Sequence, residues 1–233
     1  MHLSVKGRLF MSYTFLFSRR THLVLLAAAP ALLVAALLSV ALPARAQSVN
    51  LFPTDAESHW TRFSIPPTQP LDAKAQWHID AARRTIVCDG NGAHEWLRFN
   101  QELGNFDFSV KWRFTPVPGT PKYNSGVFFR NSADGAIWHQ AQTKLDGGYL
   151  FGLTPRNGTP TAFNLLKDMA ENRVKPAGEW NLYRIRCTGG HCTLAVNGKV
   201  VNTVDIEVMK GYVGLEAEGA QITFKDFKLK QLK

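Results

Sequence analysis

From Phe106 the chain alternates strictly: Phe106, Phe108, Val110, Trp112 and Phe114 are apolar, while Asp107, Ser109, Lys111 and Arg113 between them are polar or charged. A strand turns successive side chains to opposite faces, so this nine-residue run reads as one half-buried strand. Shorter runs predict strands at Thr85 to Cys88, Glu95 to Phe99, Gly126 to Arg130, Trp138 to Thr143 and Tyr149 to Leu153. Further ones fall at Asn181 to Cys187, Cys192 to Val196, Val200 to Val204, Gly211 to Glu216 and Gln221 to Leu229. Asn197-Gly198 is a type I′ hairpin signal, because both central residues of that turn need positive φ. Helical spacing occurs over Ala162 to Glu171, and that segment is short. Many short strands, Gly and Pro turns and one short helix predict an all-β fold, a two-sheet antiparallel sandwich of jelly-roll type. Ser64 to Pro70 and Thr115 to Lys122 are Pro-rich, yet apolar strands continue on both sides of each, so they read as loops and not as domain linkers.

The first 46 residues carry a different pattern. Lys6, Arg8, Arg19 and Arg20 precede an uncharged apolar run from Leu23 to Leu42, and Ala44-Arg45-Ala46 supplies the small-x-small site of signal peptidase before Gln47. Residues 1–46 are therefore expected to be a cleaved signal peptide, with Met11 an alternative start, and residues 47–233 a single secreted or periplasmic β-sandwich domain. The alternative is an uncleaved anchor, since twenty apolar residues can span a bilayer. No Cys follows the apolar run before Cys88, which argues against lipid modification there. Cleavage removes five of the 27 Lys and Arg and none of the 18 acids, leaving 22 basic against 18 acidic residues and a net charge of +4. The remaining basic residues are scattered, which argues against nucleic acid as a partner.

Cys187 and Cys192 flank Thr188-Gly189-Gly190-His191, a short connection between two strand-like runs. Facing residues of a hairpin have suitable Cα separations only at some ladder positions, so bonded and free thiols both remain open. Cys88 reads as a buried structural thiol.

The candidate chemistry lies in Tyr123-Asn124-Ser125-Gly126-Val127-Phe128-Phe129-Arg130 and in Trp138-His139-Gln140-Ala141-Gln142. Period two puts Asn124, Gly126, Phe128 and Arg130 on one face and Val127 and Phe129 behind them in the core. It likewise puts Trp138, Gln140 and Gln142 together, with Ala141 behind. Aromatic planes beside amides and a guanidinium suit a sugar, which needs an apolar face to stack on and fixed partners for its hydroxyls. Trp138 and Tyr149 are the stacking candidates, each with core packing as the alternative.

These motifs resemble a known family. Asn124-Ser125-Gly126-Val127-Phe128-Phe129-Arg130, Gly148-Tyr149-Leu150-Phe151-Gly152, Pro176-Ala177-Gly178-Glu179-Trp180-Asn181, Val196-Asn197-Gly198 and Gly211-Tyr212-Val213-Gly214-Leu215-Glu216-Ala217-Glu218-Gly219 are similar to the 3-keto-disaccharide hydrolases, from about Leu51 to Leu232. The resemblance implies a concanavalin A-like jelly-roll, a secreted bacterial setting and action on oxidised glycosides. Members commonly carry Glu-x-Gln-x-x-Asp after the Asn-Ser-Gly strand. Here Gln140 takes the Glu position, Gln142 keeps the Gln, and the Asp position falls near Leu145 or Asp146. A glutamine exchanges no proton at neutral pH, so the base has to come from elsewhere or is lost.

Glu216 and Glu218, two residues apart on one strand, share a face with Cα atoms roughly 6.5 to 7 Å apart. They are candidate catalytic carboxylates, with a solvated strand face as the alternative. His139 is the third candidate, against parity: if Gln140 and Gln142 face the cleft, His139 faces the core. Arg130 is expected to bind substrate and hold an enolate oxygen with Gln140 and Gln142, or else to form a structural ion pair, for instance with Glu216. No cofactor is predicted. His59, His78, His94 and His191 show no ligand spacing, so a divalent metal would have to be assembled by folded proximity. Three functions follow: a secreted enzyme cleaving 3-keto-glycosides, a non-catalytic carbohydrate-binding jelly-roll, and a structural sandwich without a polar cleft.

Overall fold

The computed structural model describes residues 46–119 and 122–233, so the signal-peptide expectation lies outside the described residues. Two antiparallel sheets pack face to face. The first has the order β13 (Lys199–Asp205), β12 (His191–Val196), β11 (Asn181–Thr188), β6 (Phe106–Phe114), β15 (Ile222–Gln231), β4 (Thr85–Cys88) and β3 (Trp77–Asp80), with β1 (Gln47–Val49) paired onto β15. The second has the order β10 (Thr159–Asn164), β9 (Leu150–Arg156), β8 (Trp138–Gln142), β7 (Gly126–Asn131), β14 (Tyr212–Ala217), β5 (Glu95–Phe99) and β2 (Trp60–Ser64). This is the jelly-roll sandwich that the alternation calls for.

The core lies between the sheets. Alternate residues of β6 are buried throughout, and from the other sheet Val127, Phe129, Ala141, Leu150, Val213, Leu215 and Ala217 meet them. Each such large side chain contributes about 1.5–3 kcal/mol on leaving water. The Asn197-Gly198 hairpin has positive φ at both residues. Cys187 and Cys192 pair directly across β11 and β12 and form a disulfide. Cys88 is free and buried, and burial pushes its thiol up to about 12, leaving an inert packing group.

The helix expected over Ala162 to Glu171 is not formed. Residues Thr159–Asn164 are strand β10, an edge strand joined to β9 by a tight turn in which Asn157 and Gly158 both have positive φ. The helical element among the described residues is one 3-10 turn, Ala56–His59.

Alternation also fails once on β7, with consequences for the site. Arg130 has φ 52°, left-handed for a residue with a Cβ, and the β7–β14 register shifts between Tyr212 and Gly214. Tyr212 pairs with Asn131 and Gly214 with Phe128, so Phe129 and Arg130 together oppose Val213. This is a β-bulge. It turns Arg130 off the outer face, and Asn131 takes the outward position instead. The guanidinium is fully buried and donates to three backbone carbonyls: Nη1 to Gly189 (2.9 Å) and Val208 (2.5 Å), and Nη2 to Gly104 (2.8 Å). The expected substrate-binding role of Arg130 is thus replaced by a structural one, and it pairs with no carboxylate among the described residues. Arg130→Ala leaves three carbonyls unpaired beside a cavity and should cost about 3 kcal/mol or more. Urea unfolding checks this; a variant as stable as wild type contradicts it.

Candidate functional site

The outer face of the second sheet carries a cavity of about 370 Å³. Its floor comes from β5, β7, β8, β9 and β14. Its walls are Ser64, which ends β2, with Ile65 to Pro67 of the loop that follows, and Asp134 to Ala136, from the β7–β8 turn. The backbone N–H of Ile65 donates to the His94 carbonyl at 2.9 Å, which ties the first wall to the floor. Trp96, Phe128, Trp138 and Phe151 give the cavity aromatic surface, and Trp138 and Phe151 remain partly exposed.

The polar groups gather at the β14 end. Glu216 and Glu218 both face the cavity, Ala217 the core, as period two requires. On β5, Trp96 pairs with Glu216; carried on by two residues, that antiparallel register sets His94 opposite Glu218. His94 Nε2 and Glu216 Oε1 are 2.9 Å apart, and Gln140 Nε2 donates to Glu216 Oε2 at 2.6 Å. Ser125 Oγ donates to the Glu216 backbone carbonyl at 2.6 Å and fixes that strand against β7. Burial holds the Glu216 carboxyl above the ordinary carboxylate range, and the neighbouring Glu218 charge adds to this against His94 and Gln140. Burial pushes His94 down, but its hydrogen bond to Glu216 and the charges of both glutamates outweigh this, so its pKa is raised. Glu218 is exposed and makes no hydrogen bond or ion pair among the described residues.

Gln140 reaches Glu216 by crossing β7, because β7 lies between β8 and β14. Gly126 makes the crossing feasible: a Cβ there would stand 2.1 Å from Gln140 Nε2 and 2.5 Å from its Cγ. Gly126→Ala should therefore displace Gln140, strip Glu216 of a donor and cost about 1–3 kcal/mol. Thermal unfolding combined with a ligand-binding titration checks this; unchanged stability and binding would show that Gln140 need not cross.

Of the residues singled out by sequence, Asn124, Trp138, Gln140, Gln142, Glu216 and Glu218 line this one cavity. Asn124 Oδ1 is buried and has no partner among the described residues, and Gln142 Oε1 accepts from the Thr143 N–H at 3.1 Å, which anchors that amide. Three expected residues lie elsewhere. Arg130 is turned inward by the bulge. His139 is fully buried on the core side, with Nδ1 3.1 Å from the Phe129 carbonyl and its ring beside Phe129 and Phe163, so β-parity removes it as a catalytic base. Tyr149 does not line the cavity; it is buried beside Phe151 with Lys144 over its ring.

His94 is the functional residue that the sequence did not reveal, because its partner Glu216 is 122 residues away. The available signal was parity: His94 precedes Trp96 by two and shares its face. Ligand atoms of His94, Glu216 and Glu218 lie within 4.8 Å of one another, so the trio offers a nitrogen and two carboxylates of the kind that hold a divalent cation.

Comparison with known families decides the relationship. The family model described as 3-keto-alpha-glucoside-1,2-lyase-like domain matches residues 68–230. The chain belongs to this family. No curated protein matches it. Among solved structures, this lyase-like domain is similar to a protein of Parabacteroides distasonis described as a candidate glycosyl hydrolase, with TM-score 0.56, 17% identity, and 80% of this chain and 94% of that chain covered. It is also similar to carbohydrate-binding module CBM66 of Bacillus subtilis, with TM-score 0.51, 13% identity and coverage of 72% and 93%. A third is the β-glucanase of Bacillus licheniformis, with TM-score 0.50, 12% identity and coverage of 80% and 99%. At these identities the likeness establishes the shared jelly-roll fold.

Proposed function

We propose that the cavity binds a 3-keto-glycoside and cleaves its glycosidic bond by base-assisted elimination. The observation that carries this reading is Glu218, a carboxylate with no partner among the described residues, in an aromatic-walled cavity beside the His94–Glu216 pair. A ketone at C3 acidifies the hydrogen on C2. Glu218 takes that proton, and the electron pair moves onto the C3 oxygen as an enolate. The pair then returns to form the C1–C2 double bond while the C1–O bond breaks, and the proton on Glu218 passes to the departing oxygen. No water is consumed, so the products are an unsaturated 3-keto sugar and a free alcohol.

The raised pKa of His94 favours an imidazolium, which places positive charge where the enolate forms. Asn124 and Gln142 offer hydroxyl partners, and Trp138 and Phe128 offer stacking surface. The family's lyase-like description supports elimination over direct hydrolysis. Export through the N-terminal segment belongs to the same proposal, and the Cys187–Cys192 disulfide supports an oxidising compartment.

The base step can be isolated on a 3-keto sugar that has no leaving group at C1. In deuterated buffer the protein should exchange the C2 hydrogen, followed by NMR. Binding without exchange would overturn the enzymatic reading in favour of a carbohydrate-binding module.

A further inference from the structure

The outer face of the first sheet, opposite the cavity, carries charge of one sign. Strands β11, β6 and β15 are neighbours at its centre, and together they hold seven basic residues against two acids, Asp107 and Asp226. None of the nine is buried, because the alternate positions of these strands supply the core. Residues 47–233 contain 22 basic and 18 acidic residues, so everything outside the three strands has 15 against 16. The net positive charge of the folded chain therefore sits on this face.

These basic residues are scattered in sequence, and the register gathers them. Lys225 stands opposite Lys111; Lys228, Ser109 and Arg184 form the next row, and Lys230, Asp107 and Arg186 the one after. Like charges directly opposite destabilise a sheet, so folding alone gives no reason for the arrangement. Asp226 pairs with Lys111 at 2.8 Å and Asp107 with Arg184 at 2.5 Å, while Arg113 and Lys225 lie over the Trp180 ring at 4.5 and 4.1 Å. Lys228 and Lys230 have neither kind of partner among the described residues.

Shape and chain entry indicate what the charge meets. Strand spacing and rise make the patch about 10 Å across the strands and roughly 20 Å along them, which is a plate and not a line. A plate of positive charge complements a flat anionic surface. Trp180, at its margin beside Arg113, offers the amphipathic ring that settles at the headgroup level of a bilayer. Gln47 pairs with Gln231 and Ser48 with Lys230, so the fold begins at the edge of the plate, four residues after the apolar run Leu23 to Leu42 read above as the export signal.

We infer that the β11–β6–β15 face docks this domain on an anionic lipid bilayer and leaves the cavity, on the opposite sheet, turned toward the solution. This docking is independent of the reaction proposed for the cavity. The chain from Gln47 onward, which holds all fifteen strands, is sedimented at low salt with vesicles of phosphatidylcholine alone or mixed equally with phosphatidylglycerol. It should pellet with the mixed vesicles only. Each Lys or Arg near an anionic membrane contributes about fivefold, so Lys228→Gln combined with Lys230→Gln should weaken binding by about 25-fold. Lys167→Gln combined with Lys210→Gln removes the same charge from exposed positions off these strands and should leave binding nearly unchanged. No binding to the mixed vesicles, or an equal loss in both double variants, would overturn the inference. Binding to polygalacturonate or duplex DNA without binding to the mixed vesicles would overturn it in favour of a polymeric anion.

Discussion

Glu218→Gln should abolish leaving-group release from a 3-keto-glucoside, lowering kcat by about 10³-fold while the protein stays folded. The size follows from the role, since a positioned general base contributes 10²–10⁴-fold. The substitution keeps the shape and removes the carboxylate's basicity, so that nothing at this position can take up the C2 proton. Glu218 is exposed and has no partner among the described residues, so stability should change by no more than about 0.5 kcal/mol. Glu216→Gln differs in kind. Glu216 is buried and accepts from Gln140, so replacing it disturbs a hydrogen-bonded pair as well as the charge beside His94. Kinetics and denaturant unfolding on both variants check this. A Glu218→Gln enzyme within a few-fold of wild type would move the base to another residue.

The second large effect is on stability and comes from His139. Burial lowers its pKa from the ordinary 6.5 to about 4, with the Arg130 and Arg156 charges acting in the same direction. The folded state therefore holds this imidazole neutral, while the unfolded chain takes up its proton near pH 6.5. Between those two values the unfolded state binds more protons, so stability is lost as pH falls from about 6.5 to 4 and is not recovered below. At 1.36 kcal/mol per pKa unit the loss is about 3 kcal/mol. His139→Phe should remove this part of the acid lability, and the difference in slope between variant and wild type separates it from the carboxylates. If that variant does not fold, the wild-type His139 ring resonances report directly. Titration near pH 6.5 would contradict a buried neutral imidazole.

The placement of these residues shows what the chain reveals and where it stops. Alternation along Phe106–Phe114 is a local property, and it set both the strand and its buried face. The same parity put Gln140, Gln142, Glu216 and Glu218 on one surface and His139 behind it. Arg130 escaped because a bulge is decided by pairing: its left-handed φ arises where two residues of β7 oppose one of β14. Ala162, Leu165, Leu166 and Met169 have helical spacing, but pairing with β9 draws Thr159–Asn164 into strand β10 and leaves only the residues after Asn164 outside the sheet, too few for a helix. The Asn157-Gly158 turn carries the same dipeptide signal as Asn197-Gly198 and could have corrected the reading. His94 lay beyond local reach, since neighbouring strands β5 and β14 are joined only through the sheet.

The acid expected on β8 is absent at Gln140, and the carboxylates beside it are Glu216 on β14 and Glu218 just after that strand. Gln140 keeps a role by holding Glu216 across the bare backbone of Gly126. Whether this arrangement cleaves by elimination is most directly tested by the identity of the product. Purified protein incubated with methyl 3-keto-glucoside should release methanol in step with an unsaturated 3-keto sugar bearing a C1–C2 double bond, observed by NMR. Methanol released with 3-keto-glucose as the first-formed product, or no release at all, would contradict the account.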